Sequence, residues 1–116
     1  MSSSTENEYI FETADPLHNI AYLTHERWDH ITTGHPELLG EDEKIKIAIE
    51  DPNSIYPDKY RSTTYNYYYE HGDIFFKKTY GAYLKVVVDR ELQGQIITAH
   101  FDQKSKDATI PIYIKP

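Results

Sequence analysis

Residues 23–36 read L-T-H-E-R-W-D-H-I-T-T-G-H-P, a stretch with both a helix start and a helix stop. Thr24 is a preferred N-cap, because its hydroxyl accepts from a backbone N–H that the first turn leaves free. Leu23 and Trp28 stand at the N′ and N4 positions of a hydrophobic staple. Glu26 puts negative charge at the positive end of the helix dipole. Gly34 suits a left-handed C-terminal residue, and Pro36 cannot simply extend the helix. The pattern predicts a helix over His25–Thr33. Trp28 and Ile31 are three apart and share its buried face, while Arg27 and His30, also three apart, flank that stripe. His35 lies just past the turn and can fold back to the same rim.

On the N-terminal side, residues 1–8 are Ser-rich and acidic and read as a flexible tail, leaving one domain over 9–116. Tyr9–Phe11 suits a short strand or an anchoring segment, Ala14-Asp15-Pro16 a turn, and Asn19–Leu23 a strand that enters the helix. On the C-terminal side a second helix is expected over Glu41–Glu50. Ile45, Ile47 and Ile49 alternate as in a strand, but charged residues separate them and Asp51-Pro52 ends the run. From Ser62 the texture changes to Thr, Tyr and Val. Ser62–Tyr69, Ile74–Thr79, Ala82–Asp89 and Gln95–Phe101 read as a four-stranded antiparallel meander, with His71-Gly72-Asp73 as a hairpin turn. Ile110–Ile114 can add a fifth strand, confined to an edge by Pro111. The expected fold is α+β, with two N-terminal helices packed on a four- to five-stranded antiparallel sheet.

Composition narrows the chemistry. The 116 residues contain no cysteine, so disulfides and thiolate metal sites are excluded. No apolar run approaches the roughly 20 residues that span a bilayer, and no signal-peptide pattern is present, so a cytoplasmic protein without a membrane partner is expected. The net charge of −7 opposes indiscriminate nucleic-acid binding. That charge is uneven: residues 1–60 carry four basic and thirteen acidic side chains, whereas residues 61–116 carry eight basic and six acidic. A local basic surface in the strand-rich half remains open, and the acidic half suits a basic protein partner.

Several chemistries lack their equipment. His25, His30 and His35 are five apart, so each step turns about 140° around a helix and the three cannot share a face. No H-E-x-x-H spacing, nucleophile elbow or glycine-rich phosphate loop occurs, so neither a metal nor another cofactor is expected. Acid–base chemistry remains. RNA cleavage needs a group to take the 2′-OH proton, another to protonate the 5′-oxygen, and a cation for the phosphorane. Arg27, His30 and His35 supply that set within nine residues. Thr98 and His100 share a strand face by period two. Arg61 and Lys104 lie near strand ends as further substrate contacts. Tyr65, Tyr67 and Tyr69 share one face and can stack on bases or pack across strands. His25 and His71 read as surface or structural histidines.

The segments L-T-H-E-R-W-D-H-I-T-T-G-H-P-E-L (23–38), I-x-x-P-x-x-I (49–55), Y-L-K-V-V-V (83–88) and I-I-T-A-H (96–100) resemble the phage-associated nuclease domains of the barnase–EndoU–colicin–RelE-like superfamily. The resemblance spans roughly residues 19–106. It implies helices on a four-stranded antiparallel sheet and a metal-independent ribonuclease site between helix and sheet. It also implies a toxin or phage-conflict role, with tRNA or mRNA as substrate and a cognate inhibitor or antitoxin as partner. Arg27, His30, His35 and Thr98 stand at matching positions, while His100 stands where the family pattern has an aromatic residue such as Tyr. Two alternatives accompany the ribonuclease expectation. One is a catalytically inactive domain of that fold binding a protein or tRNA, and the other a small-molecule transferase.

Overall fold

The computed structural model describes residues 9–116; the expected tail over 1–8 lies outside the described residues. Among the described residues seven strands form one sheet, in the order β1-β2-β6-β5-β4-β3-β7. They are β1 (Tyr9–Ala14), β2 (Ile20–Thr24), β3 (Ser54–Pro57), β4 (Thr64–Glu70), β5 (Tyr83–Asp89), β6 (Gln95–Asp102) and β7 (Tyr113–Ile114). Three α-helices accompany them: α1 (His25–Gly34), α2 (Asp42–Glu50) and α3 (Ile74–Thr79).

This architecture corrects the expected fold. The sheet is mixed, because β2 joins β6 in parallel through the pair Tyr22–Gln95, and it curls as a half-barrel. The N-terminal residues contribute a full antiparallel hairpin to it. Asp15 makes that hairpin: its Oδ1 accepts from the backbone N–H groups of Leu17 (2.8 Å) and Asn19 (2.9 Å), an Asx-type turn. Gly94 permits the parallel join. It has φ +95°, and a Cβ there would stand 2.0 Å from the Ile20 carbonyl oxygen, so only glycine lets the two chains meet.

The segment Ile74–Thr79 is a helix, not a hairpin strand. Asp73 is its N-cap, accepting from Phe75 N (3.0 Å) and Phe76 N (3.3 Å). His71 fixes the entry: its Nδ1 accepts from Asp73 N (3.0 Å) and its Nε2 bonds the Gly81 carbonyl (2.8 Å). The residues that look like a tight turn are thus a capping device. β4 and β5 still pair directly in antiparallel register from Thr64–Asp89 to Glu70–Tyr83, with α3 as the excursion between them.

The first helix begins at Thr24, whose Oγ1 accepts from Arg27 N (3.0 Å). Its end differs from expectation: Gly34 does not adopt positive φ, and His35 caps the helix through a 2.7 Å bond from its N–H to the Ile31 carbonyl. Ile31 from α1 and Ile45, Ala48 and Ile49 from α2 enter the core against Leu84, Val86, Val88, Ile96 and Ala99. Burial along β5 alternates strictly, so Leu84, Val86 and Val88 face the helices while Tyr83, Lys85 and Val87 face outward. A bulge in β6 keeps that division intact. Val87 pairs with Thr98 and Val88 with Ile96, which leaves Ile97 without a register partner. Ile96, Ala99 and Phe101 therefore all point inward, and Thr98 and His100 point outward.

Candidate functional site

The outer face of the sheet carries a cross-strand row. His100 on β6 stands opposite Lys85 on β5, and Lys85 stands opposite Tyr68 on β4. The Lys85 ammonium lies 5.8 Å from the Tyr68 ring centre. His35 extends the row from the end of α1, its ring stacked on that of His100 with 5.7 Å between centroids and 28° between planes. Carboxylates flank both imidazoles: Glu37 Oε2 lies 3.5 Å from His35 Nδ1, and Asp102 Oδ2 lies 3.9 Å from His100 Nε2. Pro36–Leu38 forms a 3-10 turn that holds Glu37 beside His35.

Electrostatics make His100 distinctive. Partial burial, then the Lys85 ammonium, holds its imidazole below the usual histidine value, against the opposing pull of Asp102. A neutral imidazole beside a cation is equipped to accept a proton near neutral pH. At the other end of the row, Tyr68 OH donates to Asp107 Oδ1 (2.5 Å), and Asn66 Nδ2 donates to Asp107 Oδ2 (2.8 Å). Burial and the Asp107 carboxylate push the Tyr68 phenol well above its ordinary range, so it stays protonated. Among the described residues no cavity encloses the row, and no three His, Asp or Glu side chains are placed to hold a metal ion.

The residues singled out from sequence have separate fates. His35 and His100 come together. Thr98 lies one step along the same outer face, opposite Val87. Arg27 is engaged elsewhere: its Nε (3.2 Å) and Nη2 (2.6 Å) both donate to the Ile97 carbonyl. That carbonyl is exposed by the bulge where β2 leaves β6, so the guanidinium fastens α1 to the sheet. His30 is exposed on α1 and has no hydrogen-bond partner among the described residues. Arg61 is exposed in the turn before β4, and Lys104 is exposed just beyond β6. Tyr67 is only 1% exposed and faces the helices, so it cannot stack on a base. Its hydroxyl donates to Asp15 Oδ2 (2.5 Å) and accepts from Arg90 Nη2 (3.2 Å). Burial first, then the hydrogen bond to Asp15, raises its pKa far above the ordinary phenol value.

Lys85 is the residue that the pattern-based candidates omit. Its signal was present: it is the one charge inside the apolar run Y-L-K-V-V-V, at the position that period two assigns to the outer face.

No model of a known family matches the chain, and no curated protein or solved structure matches it. Among the described residues no helix is long and apolar enough to cross a membrane.

Proposed function

We propose that the His35–His100–Lys85 row cleaves RNA by acid–base catalysis without a metal. The observation that carries the proposal is the 5.7 Å stack of two imidazoles from different elements, with an ammonium on the neighbouring strand. Two hydrogen bonds of about 3 Å each can join such groups to opposite sides of one phosphodiester. His100, held neutral, takes the proton of the 2′-OH as that oxygen attacks phosphorus. The P–O5′ bond breaks, and His35 gives its proton to the departing 5′-oxygen. The products are a 2′,3′-cyclic phosphate and a 5′-hydroxyl, and the protons balance between the two rings. Lys85 stabilises the charge on the phosphorane. Asp102 and Glu37 orient the rings, and Thr98 offers a hydroxyl to the substrate on the same face. Arg27 acts by placing α1, and with it His35, against β6.

Purified protein incubated with single-stranded RNA is expected to yield cyclic-phosphate ends. His100→Ala and Lys85→Ala should each slow the reaction by about a hundredfold or more. Expression of the wild-type chain is expected to arrest growth, and His100→Ala should relieve the arrest. Unaltered cleavage by His100→Ala would remove this site from consideration. Absence of any cleavage, with tight binding of tRNA or a protein, would favour an inactive binding domain.

A further inference from the structure

The helix α3 is anchored on one side and bare on the other. Phe76 stacks on Phe101 with 4.7 Å between centroids, and His71 meets Phe101 edge-on at 5.1 Å. These contacts, with the two His71 hydrogen bonds, fix the helix to the end of the sheet. Its outer side nevertheless exposes Ile74 (70%), Phe75 (63%) and Tyr80 (39%). Tyr80 also stacks on Phe101, with 5.9 Å between centroids, whereas Ile74 and Phe75 lie outside the hydrophobic core, and contiguous exposed apolar surface marks interaction sites. Phe75 is held in position by edge contacts to Phe76 (5.4 Å) and Tyr80 (6.5 Å), so its ring is pre-set rather than free to collapse.

The charges around this cluster depart from the rest of the molecule. Lys77 and Lys78 are exposed in the last turn of α3, and among the described residues neither forms an ion pair. Lys44 reaches in from α2 to within 5.4 Å of the Phe76 ring centre, although it also pairs with Glu41. The C-terminal turn of α3 thus presents two exposed lysines beside aromatic rings, with Asp73 at the opposite end of the helix as its N-cap. Aromatic faces beside lysines form the composite that holds single-stranded nucleic acid, because bases stack on the rings and phosphates meet the ammonium groups. Position supports this ligand over a lipid surface. Tyr80 and Lys85 are five residues apart, at most about 18 Å along the chain; because α3 packs on the inward-pointing Phe101 and Lys85 faces outward, a strand that contacts both α3 and the His35–His100–Lys85 row turns round the end of the sheet.

We propose that α3 is a docking platform for single-stranded RNA, with bases stacking on Phe75 and Tyr80 and phosphates meeting Lys77 and Lys78. The proposal rests on the reading of the adjacent row as an RNA-cleaving site and assigns that site an extended, unpaired substrate. The platform holds the strand, and the row cuts it.

Binding and cleavage are measured separately. Anisotropy of a labelled 2′-O-methyl oligonucleotide of about a dozen residues reports binding, because that strand has no free 2′-OH to attack. Phe75→Ala is expected to weaken its binding about tenfold. The Lys77→Ala/Lys78→Ala double variant should reduce the slope of log affinity against log salt by about 1.4. In cleavage assays Phe75→Ala should raise KM for a long substrate while leaving a dinucleotide, too short to reach α3, unaffected. Binding that depends on Phe75 without any cleavage by the wild type would uphold the platform and remove the catalytic reading. Cleavage with equal binding by wild type and Phe75→Ala would overturn the platform alone. Phe75-dependent binding to phosphatidylserine vesicles, with none to the oligonucleotide, would overturn it in favour of a membrane surface.

Discussion

The two faces of β5 use the same seven residues for opposite ends. Toward the helices, Leu84, Val86 and Val88 are fully buried and join α1, α2 and the aromatic side chains in one core. Away from them, Tyr83, Lys85 and Val87 line a surface where polar groups of four elements converge. A strand that reads as one apolar run is therefore two functional strips, divided by the pleat. The inner strip supplies stability, and the outer strip places charge. The β6 bulge matters for the same reason: without an extra residue at Ile97, either Ile96 or the Ala99–Phe101 pair would point the wrong way.

Substitutions at adjacent positions sharpen this division. Leu84→Ala is expected to destabilise the fold by about 2–5 kcal/mol, read from urea unfolding, because it leaves a cavity in a fully buried site. A smaller loss there would mean that the inner face repacks easily. The bridge between the faces should cost less. Arg27→Ala leaves the Ile97 carbonyl unpaired and should cost about 1–3 kcal/mol. Arg27→Lys should recover only part of that, since an ammonium cannot repeat the two-pronged contact. Thr24→Ala, which removes the α1 cap, should cost about 1 kcal/mol. Lys85→Ala, one residue from Leu84, should change stability by no more than about 0.5 kcal/mol while slowing the proposed cleavage about a hundredfold. His30→Ala should alter neither quantity appreciably, because its ring is exposed and makes no hydrogen bond among the described residues.

Acidity tests the outer face alone. His100 is held below the ordinary histidine value of 6.5, so the unfolded chain binds that proton more readily than the folded one. Its contribution is then fully present above 6.5 and is lost as the pH falls below that value. Unfolding measured between about pH 5 and pH 8 should show wild-type stability declining on the acid side. His100→Gln should flatten that decline. An unchanged slope would mean that His100 is not protonated at a cost in the folded protein.

The site was legible in part. His35 and His100 could be singled out by residue type, and period two put Thr98 and His100 on one face. What the pattern could not supply was the company each residue keeps. Arg27 was a plausible phosphate ligand until its guanidinium met a carbonyl 70 residues away. The Tyr65–Tyr67–Tyr69 stripe had the right spacing for base stacking, yet Tyr67 lies against the helices and its hydroxyl is taken by Asp15. Exposed aromatic surface occurs instead at α3, inside a segment that the His71-Gly72-Asp73 turn signal marked as a hairpin strand.

From the sequence alone came the features set by neighbours in the chain. These are the Thr24 cap and start of α1, the helical Asp42–Glu50 segment, and the strands around Tyr65–Tyr69 and Val86–Val88. Each depends on hydrogen bonds or side-chain periodicity within a few residues, and such interactions act wherever the segment is placed. The tertiary structure alone decided the parallel join of β2 to β6, the helical state of Ile74–Thr79 and the cross-strand pairing of Lys85 with His100. Those outcomes depend on close approach at Gly94, on packing of Phe76 against Phe101 and on a bulge at Ile97. Each joins residues distant in sequence, so its energy exists only once the sheet has formed.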